Sequence, residues 1–249
     1  MQPLVSLAGR TIVVTGAGQG IGQAIAVLAL DLGANVVALD LNPATLSAAL
    51  APLPQERVMG VVGSVVDADL AARTVEQAVA RFGAVHGLVN NAGITRPAMI
   101  DKMTAQQWQE VIDVHLTGAF YWTQAVGRHM LARVKGGDAS GGSILNISSD
   151  AGRKGSIGQI NYAAAKAGML GMTMTAAREW GKFNIRSNAI CFGLVETPMT
   201  EVVRSEKFRD TMLAQIPMGR WAQPEEVVKT VCFLLSDAAS YITGQNRSE

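Results

Sequence analysis

The stretch Thr11–Gly22, TIVVTGAGQGIG, places a short apolar β-branched run directly before a cluster of glycines. The run Thr11–Thr15 predicts a buried strand, and the apolar spacing that follows predicts a helix from Ile21 to Leu32. Glycines between a strand and a helix let the backbone approach a pyrophosphate at the helix N-terminus. The stretch therefore predicts a dinucleotide-binding turn rather than an ordinary glycine-rich turn, with candidate contacts at Gly16, Gln19, Gly20, Ile21 and Gly22.

The second apolar run, Asn35–Leu39, ends in Asp40, which lies 18 residues after Gly22. In dinucleotide-binding folds an acidic residue about 20 residues after the glycines accepts hydrogen bonds from the adenosine ribose. Its carboxylate would repel the 2′-phosphate of NADP, and its sequence neighbours carry no compensating positive charge. We therefore expect NAD as the cofactor, with NADP as the alternative. The other interpretation is that Asp40 merely caps the helix that follows.

Apolar, strand-like runs alternate with helical patterns from one end of the chain to the other. This alternation predicts an α/β fold, a single doubly wound Rossmann domain over residues 1–249 with a parallel sheet and helices on both faces. The predicted strands are Thr11–Thr15, Asn35–Leu39, Val58–Val62, Leu88–Val89, Ser143–Ser148 and Ile185–Ile190. The longer predicted helices are Ile21–Leu32, Asp67–Phe82, Thr104–Val134, Tyr162–Trp180 and Pro224–Leu235. The stretch Thr197–Gln215 is predicted to be a helical excursion, that is, a helical segment inserted between the last predicted strand and the last predicted helix.

The composition indicates a soluble, cytoplasmic protein. Apolar residues make up 49% and charged residues 16% of the 249 positions, which excludes a disordered chain. The formal net charge of +1 argues against a polyanion-binding surface, so we expect no nucleic-acid partner. Cys191 and Cys232 lack the spacing of a zinc site, and we expect no bound metal. Without a signal peptide or an apolar run of about 18 residues, we expect no membrane partner either.

Tyr162 and Lys166 in the stretch YAAAK share a helix face, because residues i and i+4 lie one above the other. A lysine ammonium about 4 Å from a phenolate would stabilise it by up to about 4 kcal/mol at an effective dielectric constant near 20. We therefore expect the pKa of Tyr162 to fall towards neutrality, where a general acid or base works best. Ser149 ends the strand-like stretch NISS, and such folds bind ligands at the carboxyl ends of parallel strands.

Together, six stretches resemble the short-chain dehydrogenase/reductase family and follow the family's order: TGAGQGIG, the strand end at Asp40, NNAG, NISS, YAAAK and ETPMT. The resemblance implies that Ser149 holds the substrate oxygen and that Tyr162 is the general acid/base. It also implies that Lys166 lowers the pKa of that tyrosine and binds the nicotinamide ribose. Further implied cofactor contacts, besides Tyr162 and Lys166 themselves, are Ser64, Val65, Asn90, Ala92, Gly93, Gly193, Val195 and Thr197.

The chain departs from the family pattern at four places. His115 occupies the position of the usual fourth catalytic residue, an asparagine that anchors a proton-relay water. A neutral imidazole could take over that role, or His115 could be a satisfied helix-face histidine without a catalytic part. Phe192 replaces the usual proline before Gly193, and Ser64 stands where an aspartate usually contacts the adenine. A closing strand normally follows Gln245, and since the chain ends four residues later, we expect that final strand to be largely missing.

The resemblance predicts an NAD(H)-dependent oxidoreductase that interconverts a secondary alcohol and a ketone by hydride transfer. Its candidate substrates include 3-hydroxyacyl and 3-oxoacyl thioesters. One alternative is an NADPH-dependent 3-oxoacyl-carrier-protein reductase, and another is a non-catalytic dinucleotide-binding scaffold. We expect a small-molecule substrate and a homo-oligomer, either a tetramer or a dimer. The loops expected to select the substrate are Thr95–Ile100, Asp150–Gln159 and Leu194–Gln215.

Overall fold

Seven parallel strands form one sheet in the computed structural model of this protein, which describes residues 4–248. The strands are β1 (Thr11–Thr15), β2 (Asn35–Asp40), β3 (Val58–Val62), β4 (Gly87–Asn90), β5 (Gly142–Ser149), β6 (Ile185–Phe192) and β7 (Asn246–Ser248). They pair in the order β3-β2-β1-β4-β5-β6-β7. Because the strand order reverses between β1 and β4, the loops that follow these two strands diverge and leave a crevice at the carboxyl edge of the sheet.

Helices cover both faces of the sheet. They are α1 (Gly20–Asp31), α2 (Pro43–Leu50), α3 (Ala68–Phe82), α4 (Ala105–Ile112), α5 (Gly118–Lys135), α6 (Ala151–Lys154), α7 (Ile160–Trp180), α8 (Glu201–Arg204), α9 (Glu206–Leu213) and α10 (Pro224–Leu235). In β1, Ile12 and Val14 belong to a core cluster with α1 and α10, whereas Val13 belongs to a second cluster with α3 and α5. Since successive side chains of a strand point to opposite faces, both faces are buried, as in a doubly wound fold.

The predicted fold class is confirmed, but the predicted helix Thr104–Val134 is interrupted. The residues Asp113–Thr117 form a π-helical turn between α4 and α5. A π-turn widens a helix locally while leaving a helical pattern on both sides, so the spacing of apolar residues did not reveal it. The predicted excursion Thr197–Gln215 is also broken, because the backbone of Ser205 is extended between α8 and α9.

The final strand is short rather than missing. Three residues of β7 pair with β6, in a register that sets Ala189 opposite Asn246 and Cys191 opposite Ser248. The expectation of a largely missing closing strand therefore holds only in part. Preceding the strand, the main-chain N–H of Gly244 donates to the carbonyl of Ser187 at 2.7 Å, which keeps the approach to β7 in line with β6.

Two histidines hold the amino edge of the sheet as hydrogen-bond acceptors. Nδ1 of His86 accepts the main-chain N–H of Thr11 at 3.1 Å, and Nε2 of His129 accepts the N–H of Val85 at 3.0 Å. Burial, followed by the charge of Arg133, lowers the pKa of His86 to about 4 and also lowers the pKa of His129. Because an imidazolium cannot accept a hydrogen bond at either nitrogen, both rings must stay neutral for these bonds to exist.

These acceptor histidines predict a loss of stability in mild acid. The pKa of His86 is lower in the folded state than in the unfolded state, where it is about 6.5. The neutral ring therefore contributes fully to the free energy of unfolding above pH 6.5, and this contribution declines as the pH falls towards about 4. Allowing for the partial exposure of His86, we expect the free energy of unfolding to fall by about 1 kcal/mol between pH 7 and pH 5 because of this residue. In His86→Asn the free energy of unfolding, measured with urea, should fall less over the same pH range, because the amide oxygen replaces Nδ1 as acceptor. An unchanged drop in His86→Asn would contradict this assignment.

Candidate active site

A cleft of about 770 Å³ lies along the carboxyl edge of the sheet, at the reversal of strand order. It extends from Asp40 at the end of β2 to Tyr162 on α7. The sequence-predicted residues that line it are Gly16, Gln19, Gly20, Ile21, Asp40, Ser64, Val65, Ala92, Gly93, His115, Ser149, Tyr162, Lys166, Gly193, Val195 and Thr197. The structure thus brings residues from widely separated stretches of the chain to one surface.

Two predicted cofactor contacts, Gly22 and Asn90, do not line this cleft. Gly22 lies in the first turn of α1, where a Cβ would overlap the carbonyl oxygen of Gly16, so its part is to let the helix pack against the turn. Asn90 is buried, and its side-chain amide donates to Oδ1 of Asn146 at 2.8 Å. The next residue, Asn91, lines the cleft instead and donates to the carbonyls of Thr15 and Gly16.

The glycine turn between β1 and α1 has the geometry of an anion-binding site. Gly16 has a φ of +67°, and a Cβ there would come too close to Ala92 in the loop after β4. Gln19 is the N-cap of α1 with an extended backbone, and its side chain makes no capping hydrogen bond. The first N–H groups of this twelve-residue helix therefore face the cleft without a side-chain cap, where a pyrophosphate would be bound.

Asp40 ties the glycine turn to β2. One carboxylate oxygen accepts the N–H of Gly18 at 2.9 Å, and the other accepts the N–H of Asn42 at 3.0 Å. The helix α2 is capped by the side chain of Asn42, which accepts from the N–H groups of Ala44 and Thr45. The interpretation of Asp40 as the helix cap is therefore wrong. Among the described residues that line the cleft, Lys166 is the one Lys or Arg, and it lies at the opposite end from Asp40.

The predicted catalytic residues meet at the other end of the cleft. Ser149 ends β5, and its side chain forms a hydrogen bond with Tyr162 on α7. One turn further along α7, Lys166 places its Nζ 5.5 Å from the centre of the Tyr162 ring. The same Nζ donates to the carbonyl of Ile147 at 2.6 Å, and the main-chain carbonyl of Lys166 accepts from Ser148 Oγ at 2.8 Å. A hydroxyl, a phenol and an amine are thus fixed beside one another.

Burial sets the protonation of this group differently from the sequence-based expectation. Loss of hydration raises the pKa of the Tyr162 phenol, and the hydrogen bond with Ser149 opposes that change. The lowered tyrosine pKa that we expected is therefore wrong for this structure, because burial of the phenolate outweighs the hydrogen bond with Ser149. Burial also lowers the pKa of Lys166 to about 7, so the amine changes its protonation near neutral pH.

His115 lies in the π-helical turn and lines the cleft beside Tyr162. The ring centroids are 5.1 Å apart, and the ring planes are nearly perpendicular, at 85°. Nε2 lies 2.7 Å from the carbonyl oxygen of Ile94 and 2.9 Å from its main-chain nitrogen. Burial, followed by the charge of Lys166, lowers the pKa of His115 to about 3, so the imidazole is neutral at physiological pH.

The segment after β6 forms the outer wall of the cleft. Arg204 of α8 donates to Glu196 at 2.7 Å and to the carbonyl of Thr197 at 3.2 Å. Gln223 donates to the second carboxylate oxygen of Glu196 at 2.6 Å. These bonds hold the wall, including the cleft residues Thr197 and Met199, against the start of α10. Of the residues 4–248, no helix has the length and apolar character to cross a membrane.

The doubly wound sheet, the glycine turn and the acidic residue at the end of β2 define a Rossmann-type dinucleotide-binding domain. A family model described as enoyl-(acyl carrier protein) reductase matches residues 16–248. The chain belongs to the short-chain dehydrogenase/reductase family, and it is an NAD(P)-dependent oxidoreductase that acts on CH–OH donors.

Similar proteins cover nearly the whole chain. The 3-oxoacyl-[acyl-carrier-protein] reductase FabG of Thermotoga maritima is 44% identical over 242 residues, which are 96% of this chain and 95% of the relative. The protein of the same name from Chlamydia trachomatis is 38% identical over 96% of this chain and 95% of its own length. The crystal structure of a short-chain dehydrogenase/reductase, glucose/ribitol dehydrogenase, from Brucella melitensis has a TM-score of 0.90 and 32% identity, and the match covers 98% of this chain and 96% of that one.

The placement of Tyr162 predicts that its hydroxyl is needed for chemistry but not for cofactor binding. We expect Tyr162→Phe to lower turnover by at least about 100-fold, because the substrate oxygen loses its proton donor and acceptor. The affinity for NADH, measured by the fluorescence of the four tryptophans, should stay nearly unchanged. Tyr241→Phe is the matched control, because Tyr241 is fully exposed. Undiminished turnover in Tyr162→Phe would exclude it as the general acid/base.

Proposed function

We propose that this protein interconverts 3-oxoacyl and 3-hydroxyacyl thioesters, with the acyl group carried on acyl carrier protein. The observation that carries the proposal is the 44% identity, over 96% of the chain, to a 3-oxoacyl-[acyl-carrier-protein] reductase. The cleft supports it, because Ser149, Tyr162 and Lys166 stand together at one end, while Phe192, Val195 and Met199 supply apolar surface for an acyl chain. This proposal takes precedence over the general secondary alcohol dehydrogenase predicted from the sequence.

Each of the three side chains at this end of the cleft has a separate role in the proposed reaction. The nicotinamide, when bound, supplies or accepts the hydride. Tyr162 gives its proton to the substrate oxygen during reduction and takes it back during oxidation. Ser149 donates a hydrogen bond to the same oxygen and keeps it beside the phenol. Lys166, with a pKa of about 7, can return a proton to Tyr162 at neutral pH.

A second candidate is a dehydrogenase for simple secondary alcohols. It is favoured by the similarity to the glucose/ribitol dehydrogenase structure from Brucella melitensis, at a TM-score of 0.90 and 32% identity. The two candidates share the same catalytic residues. They differ in whether the substrate extends out of the cleft past the wall that contains Met199.

We also propose NAD(H) as the preferred cofactor. The support is the position of Asp40, whose carboxylate lines the cleft at the end where the adenosine ribose would lie. Its neighbours along the cleft are Leu39, Leu41, Asn42 and Pro43, none of which carries a positive charge. A 2′-phosphate placed there would meet a carboxylate without a compensating cation.

The proposed assembly is a homo-oligomer, as expected from the sequence. Three helices expose large apolar side chains that a second copy of the chain could cover: Trp108 on α4, Phe120 on α5 and Met174 on α7. Such side chains are enriched at interfaces between subunits. A sizing run on the purified protein distinguishes a monomer from a dimer or a tetramer.

The substrate proposal predicts an order of turnover. We expect kcat/KM for a 3-oxobutanoyl thioester, on either carrier protein or coenzyme A, to exceed that for cyclic ketones and sugars by at least about tenfold. The loss of nicotinamide absorbance measures each rate, and the Tyr162→Phe protein gives the background. Faster turnover of simple ketones or sugars would favour the second candidate. Binding of NADH without turnover of any substrate would favour the non-catalytic scaffold.

The cofactor proposal predicts a change in selectivity when the charge of Asp40 is removed. Asp40→Asn keeps an oxygen that can accept the N–H of Gly18 but loses the repulsion of a 2′-phosphate. We expect the ratio of NADPH affinity to NADH affinity to rise roughly fivefold, which corresponds to about 1 kcal/mol in the difference between the two binding free energies. Asp40→Ala is the comparison, because it loses the acceptor as well and should weaken the binding of both cofactors. An unchanged ratio in Asp40→Asn would mean that another group sets the preference.

A further inference from the structure

We propose that His115 is a positioning residue for Tyr162, which it holds through direct ring contact and not by passing a proton. This role rests on the proposed reaction, in which Tyr162 transfers a proton to or from the substrate oxygen. It differs from both interpretations that the sequence left open, a proton relay and a helix-face histidine without a catalytic part.

The contact between the two rings has the geometry of a favourable aromatic pair. A separation of 5.1 Å and an angle of 85° correspond to an edge-to-face arrangement, which is preferred over face-to-face stacking. Tyr162 is otherwise held by the hydrogen bond with Ser149 and by the nearby ammonium of Lys166. Neither of these contacts alone fixes the tilt of the phenol ring, whereas a perpendicular ring packed against it does.

His115 is itself locked in place from two directions. Its Nε2 faces both the carbonyl oxygen and the nitrogen of Ile94, so either neutral tautomer makes one hydrogen bond to the same residue. Gly93 packs directly against the ring, since a Cβ at that position would overlap Cε1 of His115. The loop after β4 therefore sets the position of the imidazole, and the imidazole sets the position of Tyr162.

No hydrogen bond between described side chains connects His115 to Tyr162 or Lys166. Nε2 is used by Ile94, and Nδ1 is buried without a hydrogen-bond partner among the described side chains. The amine of Lys166 donates to Ile147 and makes no bond to the imidazole in the described part of the chain. With a pKa lowered to about 3, the ring does not take up a second proton near neutral pH.

The size of the ring matters because His115 fills the space between Tyr162 and the loop after β4. It lines the cleft, and its ring contacts Tyr162 on one side and Gly93 and Ile94 on the other. A shorter side chain would leave Tyr162 without its neighbour. The π-helical turn Asp113–Thr117 carries His115 at its centre, and turns of this kind are frequent at functional sites.

Two substitutions separate positioning from a proton relay because they predict opposite results. His115→Phe keeps a ring beside Tyr162 but cannot carry a proton, so we expect kcat to stay within about threefold of the parent. His115→Asn can carry or bind a proton-relay water but has no ring, so we expect kcat to fall about 10- to 100-fold. KM for the substrate and the affinity for NADH should change little in both, because neither substitution alters the glycine turn or Asp40.

A measurement independent of turnover tests the same contact. The ionisation of Tyr162, taken as the difference in tyrosinate absorbance from Tyr162→Phe, reports on the packing around the phenol and its neighbours Ser149 and Lys166. We expect the raised pKa to persist in His115→Phe and to move towards about 10 in His115→Asn, where solvent reaches the ring. Thermal unfolding and NADH binding confirm that each variant is folded.

The outcomes that overturn the proposal are distinct from failure of the proposed function. A kcat that survives in His115→Asn but is lost in His115→Phe would establish a relay. Equal losses in two folded, NADH-binding variants would assign the role to the Ile94 hydrogen bond, and parental behaviour in both would remove any role for His115. If the parent protein turns over no thioester, ketone or alcohol, the proposed function fails, and the phenol titration alone still decides whether the ring of His115 holds Tyr162.

Discussion

The hydroxyl of Thr15 is the interaction on which the rest of the cleft depends. Lying at the end of β1, it donates to the carbonyl of Val89 in β4 and accepts the N–H groups of Asn91 and Ala92. In return, the side-chain amide of Asn91 donates hydrogen bonds to the carbonyls of Thr15 and Gly16. These bonds join the two loops that diverge at the reversal of strand order. They fix the distance between the glycine turn, which would hold a pyrophosphate, and the loop that supports the catalytic end.

The same loop links the two ends of the cleft. From Asn91 the chain passes through Gly93 and Ile94, which contact His115, and His115 contacts Tyr162. A displacement at the end of β4 would therefore move the glycine turn and the tyrosine together. Packed interiors transmit such displacements because they contain few voids. The arrangement explains how a short loop without any charged side chain makes so many of the contacts in the site.

Short-range spacing predicted the parts of the site that lie within single elements. Tyr162 and Lys166 share a helix face because of their separation along the chain, and the glycines and Asp40 follow from the order of strand, turn and strand. Contacts between distant segments were not predictable in this way. Asn91 and not Asn90 lines the cleft, and Asp40 bonds Gly18, because these choices depend on how β1, β2 and β4 pair. The π-helical turn was missed because the helical pattern continues on both sides of it.

Burial sets the resting protonation states at the end of the cleft that holds Tyr162 and Lys166. Loss of hydration disfavours the charged forms of both Tyr162 and Lys166, so it raises one pKa and lowers the other. A tyrosine that keeps its proton at neutral pH is prepared to protonate a carbonyl oxygen, whereas oxidation of an alcohol requires the phenolate. Because the pKa of Lys166 is about 7, the amine can still replace the proton that the phenol gives up. For the proposed reaction, the packing that encloses the site therefore keeps Tyr162 in the protonated form that reduction of a 3-oxoacyl group uses.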